Sequence, residues 1–357
     1  MRSLKTLPIL FVGLAIAMTG CKKEEANTGS ATSGPASAGK SVELIVASYD
    51  PTREMYDAFA PLFVKHYKET TGKDVRVNMS HGPSGKQARD IAAGKEADVA
   101  ALSVDFDIDQ IAKAGLMPTD WRSRLPNDAV PYSSAVVFLV RKGNPKNIKD
   151  WNDLAREDVT GLAPDPRTGG GARWIYLSTW AHALRKAKAG GADDAAAEQA
   201  AREFTGKVYD STITDPAMRG STTRFIQQQT GDVLFGWENE ILQVVNDPKS
   251  RGNFEIVVPS DSIVIEVPIS IVDKLAEKRG TTEAANAFVA YLFSDAGQEV
   301  AAKFYNRPSS ATVLEKFQDQ FPPLNLYRFK EHFKDWPTVM KQHFEQGGEL
   351  DQMTKKK

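Results

Sequence analysis

The feature that most constrains the fold is an alternation that starts at Ser41. Short runs of β-forming residues give way to small polar turns, and the turns give way to segments with helical spacing. Residues 43–48 (ELIVAS) predict a strand. Asp50-Pro51-Thr52-Arg53-Glu54 follows, with Asp50 suited to an N-cap, Pro51 to a first turn and Glu54 to a capping box. Met55, Phe59, Leu62 and Phe63 then recur near helical spacing. Further strands are expected at 75–79, 97–102, 134–140, 160–163, 233–237, 254–258 and 264–272. Helices are expected from 84, where Ser84 is the cap, and over 109–114, 171–188, 190–202, 239–245, 283–293 and 296–305. Alternation of this kind makes an α/β fold, a mainly parallel sheet covered by helices on both faces. The roughly 300 residues from Ser41 exceed what one core usually holds, so two such lobes are expected.

The first 40 residues belong to no core. Arg2 and Lys5 precede an apolar run of 11 residues, Leu7 to Ala17. A bilayer-spanning helix needs about 20, so residues 1–20 read as a signal peptide. The run ends in Met18-Thr19-Gly20-Cys21, and Cys21 is the single cysteine of the chain. A lone cysteine behind a signal core resembles a bacterial lipoprotein box, with Met18 where leucine is usual. It implies lipidation at Cys21 and an exported, membrane-anchored protein of the periplasm or cell surface. Residues 21–40 are Gly, Ser, Ala, Thr and charge, a flexible tether. With 45 Lys and Arg against 46 Asp and Glu, the net charge is −1, which argues against nucleic-acid binding.

Four of the turns share a character. Asp50-Pro51-Thr52, Gly82-Pro83-Ser84-Gly85, Thr168-Gly169-Gly170-Gly171 and Arg219-Gly220-Ser221-Thr222 are small, polar or Gly-rich. Each stands at a helix start, where backbone N–H groups lack intrahelical partners and the helix dipole is positive. Ligands of open α/β sheets lie beyond the carboxyl ends of the strands. Brought together there, such turns suit a compact anion. Any one of them alone reads equally as a good helix cap.

Other chemistries fit less well. SHGPSGKQ resembles a phosphate loop, but the Walker pattern requires Gly at 80 and Ser or Thr at 87, and the chain has Ser80 and Gln87. A calcium loop from Asp105 through Asp107 and Asp109 requires Gly and Glu where Gln110 and Leu116 stand. No metal or cofactor is therefore expected. A secreted serine hydrolase using Ser84 and His81 is the alternative from another class, although no Gly-x-Ser-x-Gly elbow surrounds Ser84.

VASYDPTREMYDAF, SHGPSGKQA, LPNDAVPYSSAVVFLVRKGNPKNIKDWNDL, GGARW, RGSTTRF, GDVLFGWENE and HFEQGGELDQM closely resemble the bacterial sulfate- and thiosulfate-binding proteins of ABC importers. The likeness runs from about Val42 to the C-terminus. It implies a two-lobe, hinged periplasmic-binding-protein fold of type II. Lobe 1 would hold residues 41–132 with 268–306 and lobe 2 residues 133–267 with 307–357, the chain crossing near Pro131, Val267 and Arg307. It further implies a monomer that binds sulfate or thiosulfate, hands it to a membrane permease and catalyses nothing. The donors carried over are the backbone N–H groups of Asp50, Ser84, Gly170, Gly171 and Met218 and the indole N–H of Trp237. Arg53, Arg173 and Arg219 would support the site. Where the family has a serine before its paired glycines this chain has Gly169, which leaves Thr168 to reach in or the anion to change, to molybdate or phosphate for example. The loop Asp215-Pro216-Ala217-Met218 is also bulkier than the family's.

Overall fold

A computed structural model describes residues 41–354 of the chain. The expected signal peptide, Cys21, the tether and the final three lysines lie outside the described residues.

Two large sheets organise the rest. The first is built from β1 (Val42–Tyr49), β2 (Val75–Gly82), β3 (Val99–Ala101) and β12 (Ile269–Ile271), in the order β12-β3-β1-β2. β1 runs parallel to β2, from Val42 opposite Val75 to Tyr49 opposite Gly82, and parallel to β3. The second contains β5 (Val136–Arg141), β6 (Gly161–Pro164), β7 (Thr212–Asp215), β8 (Val233–Trp237) and β9 (Phe254–Val257), in the order β7-β6-β8-β5-β9. β6 is parallel to both β7 and β8.

Two strands break the parallel rule, β12 against β3 and β5 against β8 and β9. Each follows directly on a strand of a third, small sheet, β4 (Tyr132–Ser134) before β5 and β11 (Ile265–Val267) before β12. No helical crossover feeds these two strands, so nothing imposes parallel direction on them. In the small sheet β4 is the centre, flanked antiparallel by β11 and by β13 (Arg307–Pro308). A last pair joins β10 (Ser262–Ile263) to β14 (Leu326–Tyr327).

Helices cover the sheets where the sequence places apolar stripes. α1 (Arg53–Thr71) buries Met55, Tyr56, Phe59, Phe63 and Tyr67, spaced at one and two turns. Leu62, counted with that stripe from the sequence, is instead exposed, at 45%. α2 (Ser84–Ala92) and α3 (Asp105–Lys113) bury Ala88, Ile91, Ile108 and Ile111 against Ala47, Ala100 and Leu102. Before the small sheet comes one turn, α4 (Pro126–Ala129), with Asn127, Asp128 and Ala129 at positive φ. α5 (Gly170–Ala189) is buried at every position from Gly170 to Leu184. Such a helix must be covered on all sides. The C-terminal segment supplies one cover, with Phe329 and Trp336 edge-on to Trp174 at 5.8 and 5.0 Å. α6 (Asp194–Asp210) starts later than its alanine run suggests, because the Asp193 carboxylate accepts from the Ala196 N–H at 2.8 Å and caps it there. α7 (Met218–Gln227) and α8 (Glu238–Asn246) complete the second sheet's cover.

Two caps differ from the sequence reading. Asp50 opens a short 3-10 turn and its carboxylate caps nothing; it pairs with Arg53 and Arg219. Glu54 closes no capping box, because Arg219 takes it as well, at 2.9 Å. Ser84 lies inside α2 as its first residue, and its hydroxyl turns to Asp107. In each case a long-range partner outbids the local N–H that cap preference assumes.

Candidate functional site

All four turns singled out from sequence reach one cavity of about 240 Å³, the fourth through Arg219 together with the loop before it. From the first sheet come Tyr49, Asp50 and Pro51 after β1, and His81, Gly82 and Pro83 after β2. The second sheet contributes Pro164, Gly169 and Ala172 after β6, and Pro216 to Arg219 between β7 and α7. Each turn sits at the carboxyl end of its strand, so α1 through its short lead-in, α2, α5 and α7 all begin at this cavity. The N-termini of four helices point their positive dipole ends toward it, and the one cation in its lining, Arg219, is already paired with Asp50 and Glu54.

The predicted donors fall into three groups. Asp50 and Met218 line the cavity directly. Ser84, Gly170 and Gly171 stand one residue beyond the lining and are buried. Trp237 is fully buried, and its indole N–H donates to the Gly171 carbonyl at 3.0 Å. In this arrangement the indole therefore positions the start of α5.

Two of the three glycines are dictated by space. A methyl on Gly171 would lie 1.9 Å from the Tyr49 hydroxyl, and one on Gly170 would lie 2.5 Å from the Ser103 hydroxyl and 3.0 Å from Asp107. Backbone of α5 thus packs directly on residues of the first sheet, which only Gly allows. Gly169 has nothing within 4 Å of the same position and is not required by contact.

Charge is arranged around the rim. Burial pushes the Asp50 carboxyl up, but hydrogen bonds from Arg53 and Arg219 outweigh it and hold the group below its usual range. Arg219, on α7, reaches Asp50 at 3.2 Å and Glu54 at 2.9 Å and so ties the second sheet's helix to the first sheet's. Glu240 lies nearby, fully desolvated, and burial drives its carboxyl up to about 8. Arg173 is buried; its Nε donates to the Pro166 carbonyl at 3.3 Å, and its charge offsets part of the burial cost of Asp107. Thr168 spends its hydroxyl on the carbonyls of Asp165 and Pro216, at 2.9 and 2.7 Å, and so closes the turn.

Ser103 is the residue that sequence reasoning missed here. It has no motif, and only the packing of α5 brings it to the site.

A hydrolase arrangement is not supported. His81 bonds Ser48 through Nδ1 at 2.6 Å and Asp57 through Nε2 at 3.1 Å, while the Ser84 hydroxyl donates to Asp107 at 2.5 Å. Ser48, the serine that does meet the imidazole, is fully buried within β1 and out of a substrate's reach. Among the described residues no cluster of side chains suits a metal ion, and no helix is long and apolar enough to cross a membrane.

The chain is similar to known binding proteins. A family described as bacterial extracellular solute-binding protein matches residues 44–305. The sulfate-binding protein of Escherichia coli K12 is 45% identical over 318 residues, covering 89% of this chain and 94% of that protein. The thiosulfate-binding protein of Pseudomonas aeruginosa is 43% identical over 312 residues, covering 87% and 91%. Among solved structures, the sulfate-binding protein SubI from Mycobacterium tuberculosis superimposes with a TM-score of 0.74 at 29% identity, over 85% of this chain and all of that one. A periplasmic thiamin binding protein, at TM-score 0.61 and 17% identity, shares the fold alone.

Proposed function

The chain belongs to the bacterial extracellular solute-binding proteins, and we propose that it captures sulfate or thiosulfate in this cavity and passes it to an ABC importer. The observation that carries the reading is the convergence of helix starts from two sheets on one small cavity, in a chain so similar to sulfate- and thiosulfate-binding proteins.

The ligand would be held by the backbone N–H groups of Asp50, Ser84, Gly170, Gly171 and Met218. The indole N–H of Trp237 would join them by leaving the Gly171 carbonyl. Burying a dianion is costly unless fixed dipoles replace its water, and each charge-assisted hydrogen bond returns about 1.5–3 kcal/mol. A cavity lined by donors also selects. Sulfate carries no proton at neutral pH, whereas phosphate carries one that such a site leaves unpaired.

Residues 41–132 with 268–306, and 133–267 with 307–357, form two lobes in this reading. Support comes from the small sheet, in which β4, β11 and β13 lie at the three expected crossings. That sheet is the hinge, and Arg219 with Asp50 and Glu54 closes across the mouth. The protein acts as a monomeric, exported receptor without catalytic activity, anchored through lipidated Cys21.

Calorimetric titration of the full chain with sulfate, thiosulfate, phosphate and molybdate tests the reading. Saturable one-to-one binding of sulfate or thiosulfate with none of phosphate is the expected result. Tight binding of phosphate or molybdate in their place would reassign the ligand, and silence for all four would remove the function. Anchoring is tested separately, since Cys21→Ala should release the protein from the membrane fraction.

A further inference from the structure

We propose that the Ser103 hydroxyl is an additional donor to the bound oxyanion, supplied from the first sheet to the N-terminus of α5. This inference rests on the reading of the cavity as an oxyanion site.

Ser103 lies between β3 and α3 and is fully buried. Both of its backbone groups are engaged. The N–H donates to the Ser84 hydroxyl at 3.0 Å, and the carbonyl accepts from the Trp174 indole at 2.7 Å. Its own hydroxyl meets no partner among the described residues. Buried hydroxyls are almost always hydrogen-bonded, and one left alone in a native fold calls for a reason.

Position supplies that reason. A methyl on Gly170 would come within 2.5 Å of the Ser103 Oγ, so the hydroxyl rests against the first residue of α5. On its other side the Ser103 backbone is bonded to Ser84, the first residue of α2. The group therefore stands between two of the helix starts that converge on the cavity. The nearby serine and threonine hydroxyls are spent elsewhere. Ser84 donates to Asp107 at 2.5 Å, and Thr168 donates to two loop carbonyls. Gly169 has none, and the space beside it is open. Ser103 is thus a buried hydroxyl without a partner at this end of the site, and an anion oxygen at the α5 start is the acceptor it lacks.

The test is calorimetry on the full chain with sulfate and thiosulfate, wild type against Ser103→Ala, with thermal melting of both proteins free of ligand. Loss of a charge-assisted bond should weaken binding by roughly 10- to 100-fold. Ligand-free melting should hold or rise, because the substitution removes an unpartnered buried hydroxyl; a packing role would lower it. Unchanged affinity in Ser103→Ala overturns the proposal and leaves the oxyanion reading intact, whereas absence of binding in the wild type overturns that reading itself. If Ser103→Ala loses stability, Ser103→Cys decides, since it keeps the volume and weakens the donor. Weakened binding upholds the proposal and wild-type affinity ends it.

Discussion

The two walls of the cavity are made of different material. The first sheet's wall is built of side chains that hold one another: Asp50 with Arg53, Ser84 with Asp107, His81 with Ser48 and Asp57. On the second sheet's wall, bare backbone does the work. Gly169, Gly170 and Gly171 present no side chain, and Trp237 steadies the Gly171 carbonyl from behind. A wall of linked side chains can be weakened one bond at a time. A wall of backbone cannot, and fails when an atom is added to it.

The largest effect is expected where the walls touch. Gly171→Ala places a methyl 1.9 Å from the Tyr49 hydroxyl, so the walls must part. Oxyanion affinity measured by calorimetry should fall by about 100-fold or more, the scale of about 3 kcal/mol of lost closed state. Wild-type affinity in this variant would show that the contact is not part of the binding-competent form. Next comes the side-chain wall. Ser84→Ala strips the buried Asp107 of a donor and the Ser103 N–H of its acceptor. Chemical denaturation should show a loss of about 2 kcal/mol.

A change of pH tests the buried charge beside the second sheet's wall. Burial holds the Glu240 carboxyl up at about 8, well above its unfolded value of 4.5. Between those two values the unfolded chain releases this proton while the folded chain keeps it, so the contribution present at low pH is lost as pH rises. Glu240→Gln should match the wild type near about pH 4 and exceed its stability near about pH 9. Equal stability at both values would mean that Glu240 keeps an ordinary carboxyl. Smallest of all is Gly169→Ala. Nothing lies within 4 Å of the added methyl, and binding and melting should not change. A severe loss there, equal to that of Gly171→Ala, would erase the distinction between required and tolerated glycines on which the backbone wall rests.

Much of this was legible in the residues. The strand over 233–237 coincides with β8, and the helix Thr282–Phe293 begins one residue before the expected one. Those segments have β-rich or apolar patterns that local propensity and burial read alike. α7 and the single turn α4 carried no such agreement, being polar or conformationally unusual. Caps were the weak point. Asp50, Glu54 and Ser84 have the right types for local capping, and a one-dimensional reading cannot see that Arg219 and Asp107 are closer.

The alternation of strand, small turn and helix determined by itself that this chain is α/β and that its helix starts gather at strand ends, because hydrophobic period and turn chemistry are local properties. Only tertiary structure decided that Gly170 and Gly171 are obligatory while Gly169 is not, that the Trp237 N–H is engaged by a carbonyl, and that Ser103 belongs to the site. Those outcomes depend on which surfaces meet across the two sheets, at distances of 1.9 to 3.0 Å between residues far apart in the chain. Close packing decides them, and close packing is a property of the assembled molecule rather than of any window of its sequence.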